Sequence, residues 1–165
     1  MIHIRSFEHN ENDLMFLKDM LYESIHIPEN KPSKEELLNL PHLKKYSEGW
    51  GRQGDRALIA FNEKNQPVGA AWYRLFKENQ KGYGYVNDET PELGIALTSE
   101  ARGKGTGTLL MKRLFETASR DGYKSLSLSV DPHNTQAVQL YKKLGFELCG
   151  SSGTSWTMIY SLSSN

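Results

Sequence analysis

Apolar residues along this chain recur at two different periods, and each change of period marks an element. Ile2-His3-Ile4-Arg5 alternates at period two and predicts a strand. Asn10 to Asp13 offers capping residues, after which Leu14, Leu17, Leu21 and Ile25 recur at helical spacing and predict a helix over 12–27. A Ser33-x-x-Glu36 capping box opens a second helix, 33–48, carrying Leu37, Leu38 and Leu40, which Pro41 breaks or restarts. Arg56 to Phe61 and Val68 to Phe76 predict strands joined by a turn at 62–66, and Trp72 and Tyr73 suit the second. Residues 77–91 are polar, hold two glycines and predict a loop with extended ends. Strand 92–97 and helix 106–120 follow, with Gly122 as the helix stop. Leu126, Leu128 and Val130 alternate as a strand, and helix 134–144 ends at Gly145. Phe146 to Cys149 and Trp156 to Leu162 predict a closing antiparallel pair, and the serine-rich end, Ser161 to Asn165, is expected to fray.

The predicted order is β-α-α-β-β-β-α-β-α-β-β. Antiparallel hairpins lead into a βαβ unit, so the class is α/β with a mixed sheet. The 165 residues suit one domain with one core, 1–165. Charge is balanced at 20 basic and 20 acidic residues, which gives no electrostatic case for nucleic acid or an anionic membrane. The one cysteine, Cys149, leaves no internal disulfide, fits a reducing compartment and reads as a small residue packed in a strand. Met1 to Asn10 has no apolar core of signal-peptide length, and no apolar run approaches a membrane span. The expected location is therefore the cytoplasm.

The chemistry concentrates at Arg102-Gly103-Lys104-Gly105-Thr106-Gly107, between the apolar strand and the helix. Small residues let a ligand approach the backbone, and the following helix turns unpaired N–H groups toward it. A helix N-terminus favours anions, and Arg102 and Lys104 add full positive charges. The local reading is a pyrophosphate cradle. It is not a P-loop, because Lys104 precedes the last two glycines. It is not a dinucleotide fingerprint either, because Gly103, Gly105 and Gly107 run at a spacing of two and two.

The spacing Arg102-x-x-Gly105-x-Gly107 resembles the Arg/Gln-x-x-Gly-x-Gly/Ala signature of the GCN5-related N-acetyltransferases, the GNAT superfamily. Glu92-Leu93-Gly94-Ile95-Ala96-Leu97 resembles that family's fourth strand. Asn134-Thr135-Gln136-Ala137-Val138-Gln139-Leu140-Tyr141 with Gly145-Phe146 resembles its Asn-x-x-Ala-x-x-x-Tyr-x-x-x-Gly-Phe segment. The matched stretch, about 92–150, implies the GNAT fold, in which the fourth and fifth strands splay apart and the cofactor enters between them. It implies an acetyl-CoA-dependent N-acetyltransferase that moves the acetyl group directly from the thioester to a primary amine.

The resemblance also assigns roles. Backbone amides of Arg102, Gly103, Lys104, Gly105, Thr106 and Gly107, with the Thr108 hydroxyl, would bind the pyrophosphate of coenzyme A. Ile95 and Leu97 would pair through their backbone with pantetheine, and the Leu97 N–H would polarise the acyl carbonyl. Asn134 would hold the pantetheine arm and Tyr141 would protonate the leaving thiolate. Asn134 also reads as a plain helix cap, and Tyr141 as an amphipathic residue covering the core. Asn134 and Tyr141 are seven residues apart, two helical turns, and so share a face. Glu92 is the candidate general base, with Asp88 and Glu89 as alternatives. By alternation Glu92 groups with Gly94 and Ala96, away from Leu97, on a face the sequence does not identify. Trp50, Trp72 and Tyr83-Gly84-Tyr85 are candidate walls of an acceptor site.

The histidines, His3, His9, His26, His42 and His133, show no metal spacing, so no metal is expected. No Gly-x-Ser-x-Gly elbow is present. The expected partner is a small-molecule or protein amine, and the expected assembly a monomer or homodimer. The competing readings are a non-catalytic acyl-CoA-binding or interaction module and a transferase using another acyl-CoA.

Overall fold

The computed structural model describes residues 1–162. Seven strands form one mixed sheet: β1 (His3–Ser6), β2 (Arg56–Phe61), β3 (Pro67–Arg74), β4 (Glu92–Leu97), β5 (Ser125–Val130), β6 (Glu147–Ser152) and β7 (Ser155–Ser161). Their order is β1-β2-β3-β4-β5-β7-β6. The helices are α1 (Glu11–Ser24), α2 (Lys34–Leu38), α3 (Pro41–Lys44), α4 (Thr106–Arg120) and α5 (Thr135–Leu144). Element order and sheet type are those the hydrophobic pattern predicts, except that three helices, not two, lie between β1 and β2.

The chain divides into two compact units, and the division falls inside β4 and α4. The first holds Met1–Tyr73 and Gly94–Leu114, and the second holds Arg74–Leu93 and the described residues from Phe115 onward. In the first unit β1 pairs antiparallel with β2, and β2 with β3. Ala57 to Phe61 are all buried, because both faces of β2 are covered. Leu17, Met20 and Leu21 of α1 pack with Leu38, Ala57, Ala70 and Trp72. Asn10 caps α1 by accepting from the Asp13 N–H at 2.8 Å. Arg5 holds the Asp13 carboxylate through two bonds, at 2.8 and 2.9 Å. In the second unit β4 pairs parallel with β5 at Glu92↔Ser127, while β5 and β6 both pair antiparallel with β7.

Several boundaries differ from the sequence reading. The first helix ends at Ser24, not at 27. The segment 33–48 restarts at Pro41 as expected, but as two short helices, the second ending at Lys44 and not at 48. The strand expected to reach Phe76 stops at Arg74, and loop 77–91 contains a 3-10 turn, Glu78–Gln80. Cys149 is exposed in β6, not packed. The register slips between Leu148 and Gly150, which makes Cys149 the extra residue of a bulge on an edge strand. Of the end expected to fray, Ser161 closes β7, and residues 163–165 lie outside the described residues.

Candidate functional site

The glycine turn belongs to the first unit. After β4, the Thr98 N–H donates to Val68 O at 2.8 Å, and a 3-10 turn, Ser99–Ala101, leads to Arg102. Gly103 and Gly105 have φ of 74° and 80°, in the left-handed region that excludes most side chains. A Cβ built on either would meet nothing within 4 Å, so conformation and not crowding selects glycine here. Helix α4 then begins, and its first backbone bond runs from Leu109 N to Gly105 O at 3.1 Å. The N–H groups of Thr106, Gly107 and Thr108 consequently have no acceptor within the helix. Thr106 is 2% exposed and its Oγ1 lacks a hydrogen-bond partner. Arg102 and Lys104 are exposed, and no ion pair involves either among the described residues. Free N–H groups, a buried unpaired hydroxyl and two uncommitted cations fit a diphosphate.

The same unit settles which face of β4 each residue occupies. A Cβ on Gly69 would lie 2.5 Å from Leu97 Cδ2 and 3.4 Å from Leu110 Cδ1, so Leu97 shares its face with α4. Ala96 packs on the opposite side, against the α1 cluster, and Gly94 lies under the Trp72 indole. By alternation Glu92 belongs to that second face. Ile95 and Leu97 are half-buried.

Asn134, Tyr141 and Glu92 belong to the second unit. Asn134 occupies the cap position of α5, yet its side chain makes no capping bond. The plain-cap reading is therefore not realised, and its amide remains available for other partners. Tyr141 is half-buried and packs against Phe146, with ring centroids 5.7 Å apart. Burial pushes its hydroxyl up to about 12, so it stays protonated under ordinary conditions. Gly145, at φ 110°, closes α5, and the Phe146 N–H donates to Tyr141 O at 2.9 Å.

The three candidate carboxylates differ sharply. Glu92 is 6% exposed, and its Oε1 accepts from the Gly84 N–H at 3.0 Å. Asp88 is exposed and accepts from the Tyr85 hydroxyl at 2.6 Å and the Glu78 N–H at 2.8 Å. The bond from Tyr85 holds the Asp88 carboxyl below its usual range and pushes the phenol up to about 12. Glu89 is exposed. Among the described residues no group of three or more His, Cys, Asp or Glu could hold a metal ion, and no helix is long and apolar enough to cross a membrane.

The sequence profile of the acetyltransferase (GNAT) family matches residues 18–146. The chain belongs to the GNAT family. It is 26% identical over 116 residues to an L-methionine sulfoximine/L-methionine sulfone acetyltransferase of Pseudomonas paraeruginosa, covering 70% of this chain and 64% of that protein. It is 30% identical over 145 residues to a mycothiol acetyltransferase of Renibacterium salmoninarum, covering 88% of this chain and 40% of the relative. The chain thus matches only part of the length of these relatives. In fold it resembles a GNAT phosphinothricin acetyltransferase of Sinorhizobium meliloti in complex with acetyl-CoA. That likeness has a TM-score of 0.68 at 21% identity and covers 98% of this chain and 88% of the other.

Sequence reasoning passed over several polar residues of this GNAT chain. Ser127 and Thr157 are buried at 0% and 5% exposure, and both bond the backbone of the loop before β4. The signal was present in Ser125-x-Ser127-x-Ser129, interleaved with Leu126, Leu128 and Val130. In a strand buried on both faces the small polar residues are as informative as the apolar ones. Arg74, fully buried at the end of β3, had no sequence signal.

Proposed function

We propose that this chain is an acetyl-CoA-dependent N-acetyltransferase acting on a small primary amine. The observation that carries the reading is the turn before α4, where two left-handed glycines precede a helix start bearing the unpaired, buried Thr106 hydroxyl. Family membership supports the same ligand. Bound acetyl-CoA supplies the acyl group already activated as a thioester.

The chain's own residues do the rest. Backbone N–H groups of Gly103 to Gly107, with the Thr106 and Thr108 hydroxyls, hold the pyrophosphate, and Arg102 and Lys104 balance its charge. Backbone groups of Ile95 and Leu97 and the Asn134 amide orient the pantetheine arm. The Leu97 N–H polarises the acyl carbonyl. The Tyr141 hydroxyl donates its proton toward the departing sulfur. A free thiol has a reference pKa of roughly 8.5, well below that of the buried phenol. The same desolvation that raises the phenol raises a thiolate beside it, which narrows the difference. Glu92, buried on β4 where Asp88 and Glu89 are exposed, takes the amine proton through water. The acceptor is a small amine of the amino-acid kind, by likeness to the methionine sulfoximine acetyltransferase.

Mass spectrometry after incubation with acetyl-CoA and a panel of L-methionine sulfoximine, L-methionine sulfone, spermidine and L-lysine tests the reading. A mass increase of one acetyl group on a panel amine supports it. CoA binding without transfer to any amine would establish the non-catalytic module instead, and transfer from succinyl-CoA alone would establish a different acyl donor.

A further inference from the structure

Residues 75–91 join β3 to β4 with one 3-10 turn and no other regular element. Segments of that length within compact domains are uncommon unless they act as lids or binding loops. In the second unit this segment is fastened over one face of the sheet. The Tyr83–Gly84 peptide is held at both ends: Thr157 Oγ1 donates to Tyr83 O at 3.3 Å, and the Gly84 N–H donates to Glu92 Oε1 at 3.0 Å. The next carbonyl, Gly84 O, accepts from Ser127 Oγ at 2.6 Å. The three holding side chains come from β4, β5 and β7, and all are buried. Gly84 has no room for a side chain, because a Cβ would meet Leu128 C at 2.7 Å and Ser129 N at 2.9 Å. Those are backbone atoms of β5 and cannot yield.

The other face of the same strands carries helices. Phe115 of α4 stacks on Tyr160 at 4.1 Å, and Tyr160 is the strand partner of Leu126. Helix α4 therefore takes the Leu126 face, and residues 82–85 take the Ser127 face. On the acetyltransferase reading, on which this inference rests, Glu92 takes the amine proton, and the Glu92 carboxylate itself holds the loop through the Gly84 N–H at 3.0 Å. The amine must then approach beside residues 83–85. We propose that Tyr83-Gly84-Tyr85 is a fixed wall of the acceptor side, and that Ser127 and Thr157 are positioning residues that set amine affinity by holding it. Tyr83 and Tyr85 are half-buried, and Lys81 Nζ lies 5.2 Å from the Tyr85 ring centroid, a cation contact of the kind an ammonium group of the amine would make.

The test uses Ser127→Ala, Thr157→Val, which keeps the shape of the side chain, and Thr157→Ser, which keeps the hydroxyl. The acceptor is whichever amine of the panel above wild type acetylates fastest. Ser127→Ala and Thr157→Val should each raise its KM roughly 5- to 10-fold, with kcat changed less than about twofold. Thr157→Ser should restore the wild-type KM, and the affinity for CoA by calorimetry should not change in any variant. Hydrogen–deuterium exchange supplies a readout free of turnover: the Gly84 amide should exchange about tenfold faster in Ser127→Ala. A Gly84 amide that loosens while the amine KM stays at the wild-type value overturns the proposal alone, as does a KM change that Thr157→Ser fails to restore. A wild-type protein that acetylates no panel amine overturns the acetyltransferase reading and the proposal with it.

Discussion

The Trp72 indole lies directly on Gly94. A Cβ built on Gly94 would come within 2.6 Å of Trp72 Cε2 and Cζ2 and within 2.7 Å of Nε1. Trp72 is 4% exposed and packs in the α1 cluster, so the ring has little freedom to retreat. Gly94 thus lets a large ring approach closely the strand that carries Ile95 and Leu97.

Gly94→Ala should destabilise the protein by about 2 kcal/mol, the scale of overpacking in a filled core. In a chain of this length that lowers the melting temperature by roughly 4–8 °C. A melting temperature equal to wild type by scanning calorimetry would show that the ring is not fixed. Gly94→Ala with Trp72→Phe should recover part of the loss, because the smaller ring leaves room for the methyl group.

Thr106→Val separates stability from ligand binding. The Thr106 hydroxyl is buried and unpaired, and replacing such a group by a methyl of the same shape removes a desolvation cost. The ligand-free variant should be about 1 kcal/mol more stable than wild type, while its affinity for CoA falls roughly fivefold or more. Paired thermal melts with and without CoA read both effects. A variant that is both less stable and equally good at binding CoA contradicts the assignment of this hydroxyl to the diphosphate.

Tyr141→Phe keeps the ring and its contact with Phe146 but removes the proton. Turnover should fall roughly 100-fold, the usual scale for a lost general acid, with CoA affinity nearly unchanged. Because burial pushes the phenol up to about 12, saturated turnover of wild type should show no alkaline loss from this group up to about pH 10. Equal kcat in the two proteins, with chemistry limiting the rate, removes Tyr141 from the mechanism.

Asp13 sets an acid limit on stability. The hydrogen bond from Arg5 holds its carboxyl below the ordinary value of 3.8, and the Glu8 N–H adds a further bond at 2.7 Å. The folded value lies below the unfolded one, so this contribution is complete above about pH 4 and is lost as pH falls through the folded value. Asp13→Asn should cost about 2 kcal/mol at neutral pH, less than for a fully buried pair because Arg5 is partly exposed. The gap between the two proteins in denaturant melts should close as pH drops below 3.8. A gap that stays constant through that range contradicts the ion-pair account.

Element order and the glycine turn before α4 were legible because both rest on local rules. Periodicity marks strands and helices, and Gly103 and Gly105 must be glycine for backbone reasons alone. A break or restart at Pro41 was legible, but not which of the two, because a proline fits a first turn as readily as it ends a helix. The face of Glu92 was not legible, because alternation groups residues without naming the layer each group meets. The hold on Gly84 was invisible for a different reason. It joins residues 43 and 74 positions apart in sequence, Ser127 to Gly84 and Thr157 to Tyr83, through hydroxyls that no local pattern distinguishes from surface serine and threonine.

Isothermal titration of CoA into wild type and Gly105→Glu, each first shown by circular dichroism to be folded, tests the central claim most directly. Wild type should bind CoA with one site per chain. Gly105→Glu places a carboxylate at a left-handed position beside the α4 N-terminus and should weaken binding at least tenfold, whereas Lys104→Ala, which removes one exposed charge, should weaken it much less. No heat of binding from wild type at millimolar CoA, or an unchanged affinity in folded Gly105→Glu, would contradict the assignment of this turn to the cofactor.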